Sequence, residues 1–154
     1  MGLNNSQSIQ NISFFVALLA TAIALGGALA HAFEFFHKMA MSQEDYFITQ
    51  QIYAGWNRLA FVLLFELLGT IAVIVFYRHS PAVMWPAIAA LIFFLASQVV
   101  FWIWTFPANV ATNNWTEQPE NWAQLRQQWE VSHFAGAVFQ LLAMSALIIS
   151  LLRR

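Results

Sequence analysis

Four long runs of apolar residues, separated by polar segments, make up most of this chain. The first, from Ile12 to Phe33, is interrupted by only three polar side chains. As a helix it would span about 33 Å, which matches the hydrocarbon core of a bilayer. The pattern predicts an all-α integral membrane four-helix bundle, a single transmembrane domain over residues 1–154 with helices at about 12–33, 59–77, 82–104 and 134–152.

The first run must be distinguished from a secretory signal peptide. Ala28-Leu29-Ala30 resembles a small-residue cleavage site, but no Lys or Arg precedes the run, and the run is longer than a typical signal core. We therefore expect a retained membrane helix. The second and third runs are joined by the short polar turn Arg78-His79-Ser80-Pro81, which predicts an antiparallel hairpin in which the proline opens the third helix.

Two long connections, residues 34–58 and 105–132, fall on the same side of the predicted bundle, and we expect interfacial helical segments in both. In the first, Ser42 is a plausible N-cap followed by the acids Glu44 and Asp45. An aromatic stripe at helical spacing then follows, formed by Tyr46, Gln50, Tyr53 and Trp56.

The second connection carries tryptophans at seven-residue intervals, Trp115, Trp122 and Trp129. This spacing fits one helical face for at least the last two. We favour an aromatic belt at the lipid headgroups, with the wall of a ligand pocket as the alternative.

Composition narrows the choice of environment and partner. Hydrophobic residues make up 60% of the chain and charged residues 8%, so lipid is the expected solvent. The net charge of −1 leaves no basic surface for nucleic acid, and the absence of cysteine excludes disulfides and thiolate chemistry.

Basic residues are equally divided between the two sides of the predicted bundle. However, Arg153 and Arg154 lie directly at a helix end, so we place both termini in the cytoplasm.

Two polar pairs converge in the predicted fold. His31 and Glu34 close the first helix, and Glu130 and His133 precede the fourth, so both pairs lie in the same leaflet. Stripes of small residues lead to them on both helices and predict inward faces. These four residues could bind a metal through paired Glu/His ligands, could do acid–base work on an organic ligand, or could simply pair with each other and with Arg126 and Arg58.

Glu66 is the only acidic residue inside a predicted span. An unpaired carboxylate there is costly, so it must face protein or water, either bonded to Gln98 or Gln140 or serving a ligand. For His37, Lys38 and His79, which lie beyond helix ends, we expect solvated side chains.

Several motifs resemble a family of small four-helix membrane proteins that includes the fungal anthrone oxygenases, and the similarity covers most of the chain. The family pattern of Pro-x-Asn followed by Trp-x-x-x-His is met by Pro107, Asn109, Trp129 and His133, whereas Gly136 replaces an arginine found in many members. The other matching segments are Gly26-Gly27-Ala28 with His31 and Glu34, Tyr46, Gln50-Gln51-Ile52-Tyr53, Gly55-Trp56, Thr112-Asn113-Asn114-Trp115-Thr116, Pro119-Glu120-Asn121-Trp122 and Arg126 to His133.

The resemblance implies oxidation of a phenolic anthrone by dioxygen, with no established organic cofactor or metal, in a protein of the bacterial inner membrane. A base, His133 or His31, would remove the methylene proton, while Asn109, Asn114 and Arg126 would donate to the developing phenolate. The candidate catalytic residues are His133, His31, Glu130, Arg126 and Asn109, and the candidate ligand-binding residues are Glu34, Tyr53, Trp56, Glu66, Trp102, Asn114, Trp122 and Trp129.

Three hypotheses follow. The chain binds or oxidises a lipophilic aromatic molecule at the outer face, or it binds a metal through His31, Glu34, Glu130 and His133, or it is a non-enzymatic membrane subunit. Membrane lipid is a partner under all three.

Overall fold

The structure, a computed structural model, describes residues 5–154, except for the side chain of Ser6. This part of the chain is helical and contains no β-strand. The helices are α1 (Asn5–Met39), α2 (Gln43–Gln50), α3 (Leu59–Phe76), α4 (Pro81–Val100), α5 (Phe106–Ala111) and α6 (Trp122–Leu152). Short 3₁₀ turns at Gln51–Tyr53 and Trp56–Arg58 join α2 to α3, and a π-helical turn at Phe101–Thr105 joins α4 to α5.

All four predicted apolar runs form helices that are long and apolar enough to cross a membrane. Pro81 opens α4, as expected. Several boundaries differ from the prediction, since α1 already begins at Asn5 and α4 ends at Val100, and two of the differences extend helices into the polar segments. α1 continues to Met39 and α6 begins at Trp122, well before the apolar run that starts at Phe134. These polar extensions remain helical because their inward faces pack against one another at the end of the bundle where α1 ends and α6 begins, which we call the polar end.

The four long helices pack in a closed cycle, α1 against α3 and α6, and α4 against α3 and α6. Small residues allow close approach, as the sequence predicted for α1. The tightest point is Gly69 of α3, where an added Cβ would lie 2.7 Å from the backbone nitrogen of Ala17.

The end of the bundle opposite the polar end holds an apolar core of Phe14, Val73, Tyr77, Val83 and Leu147, among others. Both ends of the described chain meet there, since the Arg154 guanidinium donates to Asn11 Oδ1 at 2.5 Å. The first described turns of α1 and the end of α6 thus lie at the same end of the bundle, as four consecutive spans require. Many large apolar side chains point outward along the helices, as expected of surfaces in contact with lipid.

The first connection forms the expected capped helix. The Ser42 hydroxyl accepts the Asp45 backbone N–H at 3.2 Å, the N-cap that the sequence indicated. However, the helix ends at Gln50, and Gly55, with φ of 87°, reverses the chain before Trp56. The predicted aromatic stripe therefore divides between α2 and the 3₁₀ turns, and its Tyr46 faces protein instead of headgroups.

The second connection contains a sharp turn. After α5, the residues Asn113, Asn114 and Trp115 all have positive φ, from 45° to 65°. Asparagine adopts this region readily, whereas tryptophan does so only when its surroundings hold it there. Here the Thr112 hydroxyl accepts the Trp115 backbone N–H at 3.1 Å, which fixes the turn.

Candidate functional site at the polar end

A buried lysine lies at the centre of the polar end, contrary to the expectation that Lys38 is solvated. Its side chain is 1% exposed, and Nζ lies 2.9 Å from Glu130 Oε1. The expectation was wrong because α1 continues past Phe33. Lys38 then follows Glu34 by one turn and His31 by two, on the inward face.

Tyrosines complete the surroundings of this ion pair. The Tyr46 hydroxyl, on α2, donates to Glu130 Oε1 at 2.9 Å and accepts a bond from the Gln50 amide. The Tyr53 hydroxyl donates to Glu34 Oε2 at 2.5 Å and lies 3.3 Å from Lys38 Nζ. We call Glu34, Lys38, Tyr46, Tyr53 and Glu130 the lysine cluster.

Both phenols remain protonated near neutral pH. Burial raises the pKa of Tyr46 above its ordinary value, and the Glu130 carboxylate beside it raises that pKa further. Burial likewise raises the pKa of Tyr53, and so does the bond that its hydroxyl donates to Glu34. The cluster therefore presents phenolic donors, not phenolates.

The two candidate histidines are in contact. The ring centroids of His31 and His133 lie 4.3 Å apart, which confirms the convergence predicted from the two helix ends. Aromatic rings surround His31, with centroids at 4.6 Å for Tyr53, 5.1 Å for Trp129 and 5.4 Å for Trp56. We call His31 and His133 the histidine pair.

The ring nitrogens of the pair differ in their partners. His133 Nδ1 lies 2.9 Å from the Trp129 carbonyl oxygen. His31 Nδ1 is buried and has no hydrogen-bond partner within the described residues, and the same holds for Glu130 Oε2. At the same end, Gln50 Oε1 and Arg126 Nε are also buried without a partner among the described residues. Because such atoms are uncommon, His31 Nδ1 and Glu130 Oε2 are candidate acceptors for a donor group of a ligand.

This geometry does not favour the metal hypothesis. Across residues 5–154, no group of three or more His, Cys, Asp or Glu side chains is arranged to hold a metal ion. Lys38 occupies one oxygen of Glu130, and Tyr53 occupies one oxygen of Glu34. A cation entering between the two pairs would meet the positive charge of Lys38 at short range.

Asn109 orients two tryptophans. Its Oδ1 accepts the indole N–H of Trp129 at 2.8 Å and that of Trp115 at 3.1 Å. Both indoles are buried, so the headgroup-belt interpretation is wrong for them. It fails because α6 begins early enough to carry Trp129 into the interior, while the turn after α5 folds Trp115 against it.

Arg126 ties α6 to the end of α1. Its guanidinium donates to the Met41 carbonyl oxygen at 2.9 Å and stacks on Trp122, 4.6 Å from a ring centroid. The sequence left open that Arg126 pairs with Glu130 or the histidines. In the structure its guanidinium contacts the Met41 carbonyl oxygen and the Trp122 ring instead.

Two candidate residues lie on the surface, outside the site. Trp102 is 59% exposed on the π turn, where its ring contacts those of Phe101 and Phe106, so it does not wall the predicted pocket. Asn114 is exposed in the turn after α5. His37 and His79 are exposed, as expected.

Glu66 is buried in the middle of the bundle, 1% exposed, and accepts a bond from the Gln140 amide at 3.3 Å. The alternative partner, Gln98, bonds to Ser97 instead. Of the two partners that the sequence left open, the structure selects Gln140.

Two surface grooves lie apart from the histidine pair. One, of about 550 Å³, runs between the π turn and α6 and is lined by Trp104, Gln127, Gln128 and Ser132, among others. The other, of about 480 Å³, lies between the end of α1 and α2. Neither is lined by the tryptophans that we expected to form an aromatic pocket.

Comparison of the chain with protein-family models, with curated proteins and with solved structures found no match.

Sequence reasoning missed Lys38 and the role of Tyr46. The spacing of Lys38 from His31 and Glu34 was a usable signal, since it continues the inward stripe of α1. Nothing in the sequence indicated that Tyr46 would reach Glu130.

Proposed function

We propose that this chain is a multi-pass membrane protein that binds a lipophilic aromatic molecule beside the histidine pair and oxidises it with dioxygen. The observation that carries the proposal is the buried Nδ1 of His31, which has no hydrogen-bond partner among residues 5–154 and lies in a ring-lined site next to Lys38. A free imidazole nitrogen there can take a proton. The neighbouring Lys38 ammonium carries three N–H donors and is suited to a developing oxyanion.

The resemblance to anthrone oxygenases suggests the reaction. A base removes a proton from the ring methylene of a hydroxylated anthrone, and the carbanion gives an electron to dioxygen and forms a carbon–oxygen bond. The resulting hydroperoxide loses water, so that one anthrone and one dioxygen give one anthraquinone and one water. The substrate carbanion is the reductant, and the proposal includes no organic cofactor or resident metal.

In this proposal His31 is the base, and His133 keeps it in place through ring contact. Lys38 stabilises the phenolate form of the substrate, and Tyr53 remains bonded to Glu34. Trp56 and Trp129 flank the flat rings of the substrate. The substrate would enter from the bilayer, because His133, Tyr53, Trp56 and Glu34 are only half-buried.

For the membrane, we propose the bacterial inner membrane with both termini in the cytoplasm. Support comes from Arg153 and Arg154, which directly follow the end of α6. The site would then lie in the outer leaflet.

The experiment uses purified full-length protein in lipid nanodiscs and a hydroxylated anthrone as the probe, with oxygen uptake and quinone absorbance as readouts. We expect the wild type to exceed protein-free nanodiscs, and His31→Asn to lower that excess by about 100-fold or more, the low end for a general base. His79→Asn, which changes an exposed histidine at the opposite end, is the matched control and should keep the activity.

A solvent extract and a metal analysis of the same preparation separate the alternatives. A bound aromatic compound supports the proposal even if the probe is a poor substrate. A stoichiometric metal that is lost in His133→Asn would favour the metal hypothesis instead. If the extract holds no aromatic compound and the oxidation rate equals that of empty nanodiscs, the proposal fails and a non-enzymatic subunit is the better reading.

A further inference from the structure

A second polar site lies inside the bundle, away from the lysine cluster. Glu66 on α3 and Gln140 on α6 are 1% and 4% exposed, and they contact each other through a single bond of 3.3 Å from the Gln140 amide to Glu66 Oε2. Thr21 on α1 is fully buried and lies close enough to interact with the same carboxylate. We call these three residues the Glu66 site.

The site has more acceptors than donors. The hydroxyl proton of Thr21 is already used, because it bonds to the Ala17 carbonyl oxygen at 2.8 Å. Glu66 Oε1 and Gln140 Oε1 are both buried and have no partner within the described residues. Glu66 Oε1 and Gln140 Oε1 are therefore acceptors without a donor among the described residues, and the Thr21 hydroxyl oxygen lies beside them.

No neighbouring charge compensates this deficit. Glu66 is the only ionisable residue of α3, and α4 has none. On α1 the nearest is His31 and on α6 it is His133, seven residues before Gln140, or about 10 Å along the helix axis. No ion pair involves Glu66 in the part of the chain that the structure describes.

Tight packing also limits hydration of the site from one side. Gly69, one turn after Glu66, brings α3 into backbone contact with Ala17, one turn before Thr21. A buried carboxylate with excess acceptors must gain a positive partner or carry a large free-energy cost.

We propose that the Glu66 site binds one monovalent cation, a proton or Na⁺. A single carboxylate charge with neutral amide and hydroxyl oxygens matches one positive charge, and such hard oxygen ligands suit an alkali cation. A proton on Glu66 would serve the same need by making the carboxyl a donor to a free oxygen, such as Gln140 Oε1. This proposal for the Glu66 site does not rest on the proposed oxidation at the histidine pair.

Infrared spectroscopy tests the proposal on the full-length protein in nanodiscs at constant ionic strength, with NaCl, KCl or choline chloride. The difference between wild type and Glu66→Gln isolates the bands of Glu66. A carboxylic acid band that is insensitive to NaCl identifies the proton. A carboxylate spectrum that changes with NaCl but not with KCl or choline chloride identifies Na⁺.

Variants of the ligands supply a second readout. If Na⁺ is bound, Thr21→Val should weaken the NaCl effect by about tenfold or more, as expected for loss of a contact to a charged group. If a proton is bound, Gln140→Leu should shift the acid band, and this assigns the band even if Glu66→Gln does not fold. Ser97→Ala removes a buried hydroxyl whose bonds, to the Phe94 carbonyl oxygen and from the Gln98 amide, stay within its own helix, and it should change neither result. A carboxylate spectrum that responds to neither pH nor Na⁺ would overturn the proposal.

Discussion

Lys38 is the residue whose environment decides the character of the polar end. Burying a charged pair is costly, and the pair persists only where good geometry and further bonds offset the desolvation of both ions. Here Tyr46 donates to the same Glu130 oxygen that Lys38 contacts, and the ammonium also lies 4.5 Å from the Trp129 ring centroid and 4.7 Å from that of Tyr53. The aromatic rings replace part of the lost hydration.

Lys38→Met should therefore destabilise the protein strongly, because it leaves Glu130 buried without its counter-charge. We expect a loss of about 3 kcal/mol in the free energy of unfolding, measured by denaturation in detergent micelles. Arg58→Met, which changes an exposed cation near the same end, should stay within about 0.5 kcal/mol of the wild type.

A double-mutant cycle separates the ion pair from general packing. Lys38→Met combined with Glu130→Gln should be more stable than Lys38→Met alone, since the remaining charge is then removed as well. If the two losses simply add, Lys38 and Glu130 are not coupled and the ion-pair account is wrong.

At the scale of elements, close contact between helices depends on small residues at particular positions. Gly69 is such a position, because its Cα faces the Ala17 backbone with no room for a methyl group. Gly26 lies in the middle of α1, yet an added Cβ there would meet nothing within 4 Å. The two glycines therefore differ in packing although both are inside long helices.

Gly69→Ala should lower the free energy of unfolding by about 1–3 kcal/mol through overpacking. Gly26→Ala should be neutral or raise it by up to about 1 kcal/mol, because alanine is the better helix former. Thermal unfolding in one detergent compares the two directly. Equal effects of the two substitutions would show that α1 and α3 do not approach as closely as described.

At the scale of the whole molecule, the polar groups are distributed unevenly. Of the seven acidic residues, six lie at or beyond the polar end, and Glu66 lies between the ends. The opposite end carries the short turn before α4 and both ends of the described chain. If the chain spans a membrane, its two faces are chemically distinct, so its orientation can be measured.

Single cysteines report orientation cleanly because the natural chain contains none. Glu120→Cys places a thiol at an exposed position of the polar end, and Ser80→Cys places one in the exposed turn before α4. With an impermeant maleimide on intact cells, we expect labelling of Glu120→Cys only, and labelling of Ser80→Cys only after permeabilisation. The reverse pattern would place both termini outside the cell.

The sequence by itself determined the helical class, the four apolar helices, the hairpin at Pro81 and the Ser42 cap, because run length and capping chemistry are local properties. It also determined that His31 and His133 meet, since the first helix ends and the fourth begins on one side. Chain connectivity places both residues in one leaflet, and the stripes of small residues predict that both face inward.

The tertiary structure alone decided which polar side chains turn inward: Lys38 buried against Glu130, Tyr46 over the same carboxylate, Asn109 between two indoles, and Trp102 outside. In a soluble protein, hydrophobicity distinguishes the buried face of a helix from the exposed one. Here apolar side chains cover outer surfaces as well as interior ones, so that signal is weak. Which face packs inward then depends on how closely neighbouring helices fit, and only the packed structure contains that information.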